Sequence, residues 1–249
     1  QSKIQSQIKG ALIYPVLILV LAIAVSLGLL IGIVPQFESL FSGMGAKLPA
    51  LTAFMLSLSR LVTSWNFAIG APIVVFAGFY AFKLSYSSPQ GRRFFDNLFL
   101  KAPLFGDLIL KSEVAQMSDT LSTLINSGIP MVEALENCIK ASNNEIIKIA
   151  LRKSISLVTQ GEELSTTFDT SKVVPRLLVS MVRIGEETGE LSFMLENISN
   201  FYKREVSEAV NLLTKAMEPA IIFVVAGIVG TIVISLYLPM FGLINKMGS

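Results

Sequence analysis

Apolar and polar positions are unevenly distributed along this chain. Three windows carry no charged residue: Gly10 to Phe37, Leu61 to Phe82 and Pro219 to Asn245. A hydrocarbon core of about 30 Å needs roughly 20 apolar residues at the helical rise, so each window is long enough to cross a membrane. Between the second and third windows the pattern changes to stripes of helical period. Val114, Met117, Leu121 and Leu124 form one stripe, and Ile147, Leu151, Ile155 and Val158 form another. A third runs through Leu191, Leu195, Ile198, Tyr202, Ala209, Leu212 and Ala216, interrupted by Glu205.

The punctuation between stripes predicts helices from Asp107 to Asn126, Pro130 to Ala141, Asn143 or Asn144 to about Val158, Leu164 to Phe168, and Arg176 to Ile184. Asn126-Ser127-Gly128 closes one helix and Pro130 opens the next, a Gly stop paired with a Pro start. Gln160-Gly161 ends the third, and Gly185 and Gly189 bracket Glu186-Glu187-Thr188 before the last. Pro89 opens a short helix ahead of Pro103. Nothing breaks the final stripe before Pro219, so it is expected to run into the third window. The fold class expected is an all-α membrane protein, with three transmembrane helices and one six-helix bundle domain over 83–218.

Lysines and arginines in short loops set the orientation. Lys3 and Lys9 precede the first window, Lys47 and Arg60 are the only cations of the following segment 38–60, and Lys83, Arg92, Arg93 and Lys101 follow the second window. This excess puts the N-terminus and 83–218 in the cytoplasm, with 38–60 as an outer loop and 246–249 as an outer tail. The first window lacks an A-x-A-like cleavage site and is too long for a signal peptide.

A repeat is carried by the prolines. Pro15, Pro35 and Phe37 each recur 204 positions later as Pro219, Pro239 and Phe241. One gap-free register points to duplication. Gln1 then corresponds to Glu205, and residues 1–9 are expected to be the end of a first cytoplasmic domain lying upstream. An opening on Gln1 rather than Met is expected of a fragment or a processed product.

Composition narrows the chemistry. Of 249 residues, 52% are hydrophobic and 15% charged, against about 25% charged in soluble domains. There is no histidine, which removes Ser-His and Cys-His nucleophiles and imidazole-based zinc sites. A lone cysteine, Cys138, excludes an intrachain disulfide and is read as a small core residue. The segment 83–218 holds 15 Lys/Arg against 17 Asp/Glu, so it is not a basic nucleic-acid binder. No phosphate-binding G-x-x-x-x-G-K-[ST] loop is present. Catalytic residues, cofactor sites and cofactors are therefore expected to be none.

Several strings together resemble a family. Leu121 to Pro130 followed by Ala134-Leu135, the Gln160-Gly-Glu-Glu-Leu-Ser165 turn, Met181 to Leu191 with its G-E-E-T-G-E-L run, Ala102-Pro-Leu-Phe-Gly106, and Tyr14-Pro15 are similar, in this order, to motifs of the inner-membrane platform proteins of type IV pilus and type II secretion systems. The resemblance implies two cytoplasmic six-helix domains, the first of them expected upstream of Gln1. The resemblance implies an inner-membrane platform that couples a cytoplasmic hexameric assembly or retraction ATPase to insertion of pilin or pseudopilin subunits. It also implies other inner-membrane assembly proteins as partners and a periplasmic outer loop and tail; a homo-oligomer, dimer or higher, is expected from the Gly28-x-x-x-Gly32 spacing.

Candidate contact residues are Gly185, Glu186, Glu187, Gly189 and Glu190, with Arg92 and Arg93. The acidic run reads as a helix junction, with carboxylates in the first turn of the following helix. It also reads as a docking turn, or as a weak cation pair of Glu186 and Glu190 at i, i+4. Arg92-Arg93 beside Phe94-Phe95 reads as an interfacial anchor or a pilin- or lipid-contacting patch. Gly128, Pro130, Gly161, Leu191, Pro15 and Pro219 are expected to be structural. Gly28-x-x-x-Gly32 matches a helix-packing pattern. A small transporter or channel subunit is the alternative function, but such proteins place ionisable residues within their spans, and these windows have none.

Overall fold

The computed structural model describes residues 2–43, 49–103 and 105–247. Among these residues the chain is all-helical, with no strand: α1 (Ser2–Gly28), a π-helical turn (Leu29–Ile33), α2 (Val34–Gly43), α3 (Ala50–Thr63), α4 (Trp65–Ser87), α5 (Pro89–Lys101), α6 (Phe105–Asn126), α7 (Met131–Ala141), α8 (Glu145–Val158), α9 (Leu164–Ser171), α10 (Arg176–Thr188) and α11 (Leu191–Met247). They form two compact units. One comprises Lys83–Leu212 with the residues ahead of Gly10, and the other comprises Gly10–Phe82 with the chain from Leu213 onward. α11 contributes to both.

In the first unit the helix ends follow local chemistry. Gly128 N–H donates to the Ile125 carbonyl and Ile129 N–H to that of Leu124. Gly161 and Glu162 repeat the pattern on Val158 and Leu157. Each is a paired C-terminal closure that needs one left-handed residue, and Gly128 and Gly161 have φ of 79° and 92°. Pro130 precedes α7 instead of opening it, with an extended ψ of 146° and a carbonyl that accepts from Ala134 N–H. Asn144 caps α8, its Oδ1 accepting from the N–H groups of Ile146 and Ile147. The core is drawn from six helices, α6 through α11, with Leu121, Leu135, Leu151, Phe168, Leu178 and Leu195 at its centre. Cys138 is part of it, and burial pushes its thiol pKa up to about 12. α5 is a further helix laid against α6 and α8.

The second unit holds the charge-free windows. Ile13–Phe37, Trp65–Ser87 and part of Leu191–Leu238 are long and apolar enough to cross a membrane. The second window begins its helix at Trp65 instead of Leu61, because Ser64 is extended (ψ 138°) and its Oγ accepts from Phe67 N–H. Pro15 lies well inside α1, which starts at Ser2. α1 and α11 run parallel. Tyr14 and Pro15 line one cavity with Glu218 and Ile221, and Leu30 lines another with Gly227 and Ile232.

Of the expected outer loop, 38–60, the described residues 38–43 and 50–60 are helical, and 44–48 lie outside the described residues. α3 packs Met55 and Leu56 against Leu30, Val34, Ile232 and Leu236 in a small apolar core. Two of its hydroxyls answer a problem set by the repeated prolines. In the π turn, Val34 N–H donates to the Leu29 carbonyl, five residues back. In the same register Leu30 would pair with residue 35, but Pro35 has no N–H. Ser59 Oγ donates to the Leu30 carbonyl instead, at 2.6 Å. In α11 the regular donor for Ser235 would be residue 239, which is again proline. Thr52 Oγ1 donates to the Ser235 carbonyl, also at 2.6 Å. Thr52 and Ser59 stand two turns apart on one face of α3, both buried. One short helix thus satisfies the carbonyls left open at Pro35 and Pro239.

Candidate functional site

The acidic run is built across three helices of the first unit. Gly185 lies inside α10, not at its end. A Cβ there would come within 2.7 Å of Leu191 Cα, so its bare backbone lets the end of α10 pass against the start of α11. Gly189, at φ 77°, closes α10 in the left-handed region. Leu191 packs against the core.

Glu186 is turned back into the unit. Leu164 N–H donates to its Oε1 at 2.6 Å and Ser165 N–H to its Oε2 at 3.0 Å. The carboxylate therefore caps the first turn of α9, whose preceding residue, Glu163, makes no side-chain cap. An anion belongs there because the first N–H groups of a helix have no internal partner and carry partial positive charge.

This arrangement corrects two expectations. Glu186 and Glu187 stand in the last turn of α10, and the helix N-terminus that Glu186 serves is that of α9, not of the following helix. Glu186 and Glu190 do not share a helix face, because Gly189 breaks the helix between them, so the i, i+4 premise of a cation pair is lost. Among the described residues no group of three potential metal-ligating side chains occurs. Glu187 and Glu190 are exposed, and the Glu190 carbonyl accepts from Met194 N–H at the start of α11.

Two further acids do the same work and escaped the sequence reading. Asp96, 3% exposed, accepts from Glu145 N–H at 2.7 Å through Oδ2 and from the Tyr86 hydroxyl at 2.9 Å through Oδ1. Glu113 accepts from Ser142 Oγ at 2.6 Å and from Asn143 N–H at 3.2 Å. Both lie against the turn that starts α8. Asp96 is the single acid of α5, whereas Glu113 is one of three acids in α6, and their donors stand 49 and 29 to 30 positions away. On the same face Arg152 donates to Glu145, holding that carboxyl below its ordinary pKa. Lys111 bridges Asp107 and Glu205, and these two hydrogen bonds raise its pKa.

The arginine pair divides. Arg92 faces inward, its guanidinium 5.6 Å from the Tyr86 ring centre, 4.0 Å from Asp96, and donating to the Asn143 carbonyl at 3.1 Å. Arg93 is exposed. In the second unit Pro15 is buried and Pro219 exposed. A Cβ at Gly28 or Gly32 would meet nothing within 4 Å. The structure thus brings Gly185, Glu186 and Leu191 together around α9 and keeps Arg92 in a separate network.

Residues 117–239 match the family described as type II secretion system (T2SS), protein F. The chain is 39% identical over 246 residues to the type IV pilus assembly protein PilC of Thermus thermophilus, covering 98% of this chain and 60% of that protein. It is 37% identical over 248 residues to the PilC protein of Pseudomonas aeruginosa, covering 98% of this chain and 65% of that one. With the type II secretion system protein F of Aeromonas hydrophila the identity is 27%, over 98% of this chain and 62% of the relative. The chain therefore spans about three fifths of the length of the curated relatives it matches.

Proposed function

The chain belongs to the platform family of type IV pilus assembly and type II secretion, and we propose that it couples a cytoplasmic assembly ATPase to the insertion of pilin or pseudopilin subunits into a filament. In this reading it sits in the bacterial inner membrane with 83–218 in the cytoplasm and its C-terminus in the periplasm. It performs no catalysis of its own. The observation that supports coupling most is α11. One uninterrupted helix, Leu191–Met247, carries Leu195, Ile198 and Tyr202 into the bundle core and Ile232 and Leu236 into the apolar core of the other unit. In this reading, displacement of the bundle by a partner is passed along this shared helix. The exposed Glu187 and Glu190 and the neighbouring α10 surface are the proposed ATPase contact, with Gly185, Glu186 and Gly189 shaping it.

A Pro-Gly insertion between Leu212 and Leu213 tests this. Proline in a helix interior costs about 3 kcal/mol and bends or breaks it. The expected result is a chain that still enters the membrane and still co-purifies with the ATPase, in cells that have lost filament assembly or secretion. Undiminished assembly would refute coupling through α11. Charge reversal at Glu187 and Glu190 tests the contact, with loss of ATPase co-purification as the expected outcome.

A further inference from the structure

We infer that α5 is an interfacial helix that binds the anionic headgroups of the bilayer next to α4. It starts two residues after α4 ends, with Ser88 as its cap: the Oγ accepts from Gly91 N–H. At about 100° per residue, Arg93, Asn97, Lys101, Phe94 and Leu98 fall within roughly 140° of its circumference, and all five are exposed. Phe94 is 65% and Leu98 52% exposed, both large and apolar, with the Phe95 ring edge-on to Phe94.

The charge on this face has one sign. The helix has a single acid, Asp96, which is buried and holds the start of α8. The third cation, Arg92, is engaged inward with Tyr86 and Asn143. Among the described residues neither Arg93 nor Lys101 has an ion-pair partner.

Apolar side chains beside unpaired cations, directly following a membrane-crossing helix, complement a surface of acyl chains under negative phosphates. The inward network gives the face its fixed orientation. Arg92 and Asp96 tie one side of α5 to the bundle, leaving Phe94 and Leu98 turned outward. The inference goes beyond the platform reading and does not depend on which ATPase or subunit is engaged.

The full chain, reconstituted in vesicles, supplies the test. Trp65 is the one tryptophan. In a Trp65→Phe background, Phe94→Trp or Leu98→Trp places the probe on α5, and Phe193→Trp, itself 54% exposed on α11, is the reference. Vesicles carry brominated acyl chains, with or without phosphatidylglycerol as about a third of the lipid. The expected result is blue-shifted emission quenched by bromolipid at positions 94 and 98, stronger with the anionic lipid, and little quenching at 193. Arg93→Gln and Lys101→Gln should each lower the docked-to-undocked ratio about fivefold, and together about 25-fold. Water-exposed emission at 94 and 98 in both lipids would overturn the inference. So would a blue shift without bromolipid quenching, which marks a protein partner or a second copy. Quenching at 94 and 98 that is no stronger than at 193 and indifferent to lipid charge would overturn it as well.

Discussion

Removing the Ser59 hydroxyl should loosen α3 from the first membrane helix by an amount set by the proline at 35. Ser59→Ala deletes one buried hydrogen bond of 2.6 Å and little volume. Interhelical hydrogen bonds in membranes average about 0.6 kcal/mol and reach about 1.7, while leaving a buried acceptor unpaired costs about 1–3 kcal/mol. Leu30 belongs to the second case, because Pro35 has no N–H to return and the surrounding cluster of Val34, Met55, Leu56 and Ile232 is apolar. The expected loss is about 2 kcal/mol, close to a 30-fold shift of the unfolding equilibrium. The assay is reversible unfolding of the full chain in mixed detergent–lipid micelles, followed by Trp65 fluorescence. The decisive comparison is a double-mutant cycle. With Pro35→Ala, residue 35 regains an N–H and closes the Leu30 carbonyl itself, so Ser59→Ala should then cost under about 0.5 kcal/mol. An equal cost of Ser59→Ala in both backgrounds would refute the reasoning. Thr52→Val, paired with Pro239→Ala, is the matching cycle on α11.

Glu186→Ala should destabilise the bundle by about 1–2 kcal/mol, the range of a lost helix cap, with Glu186→Gln costing less; amide exchange at Leu164 and Ser165 should accelerate most. Gly185→Ala drives a Cβ against the Leu191 backbone and should cost about 1–3 kcal/mol, read from the thermal midpoint of the bundle in the full chain. Because Arg152 lowers the Glu145 pKa in the folded chain, the stability this pair contributes is complete above the unfolded carboxyl pKa of about 4.3 and is lost as pH falls through the lower, folded value. Arg152→Gln should flatten that part of an acid titration, and an unchanged profile would show that the pair contributes nothing.

Much of the architecture is legible in local pattern because its causes are local. Charge-free length marks the membrane helices, and the left-handed closures at Gly128, Gly161 and Gly189 are written in the glycines themselves. The G-E-E-T-G-E-L run, in order with the Leu121–Pro130, Gln160–Ser165 and Ala102–Gly106 strings, carries the resemblance to the family. The bounds that slipped did so where a side chain competed with the helix, as at Ser64, or where a helix ran through a glycine, as at Gly185.

The roles of the polar residues were not legible in the same way. Glu186 serves an N-terminus 21 to 22 positions earlier, and only packing decides which of several acids reaches it. Arg92 and Arg93 are adjacent in the chain and read as one patch, yet helical rotation sends one to Asp96 and the other to solvent. The prolines at 35 and 239 announce two open carbonyls, since a residue without an N–H must leave one. That Thr52 and Ser59 close them depends on α3 lying between two helices that are distant in sequence. The sequence alone determined helix, span and turn, each set by a few neighbouring side chains. Only the tertiary structure decided the pairing of buried donors and acceptors, because that requires the approach of segments whose order along the chain carries no trace of their distance in space.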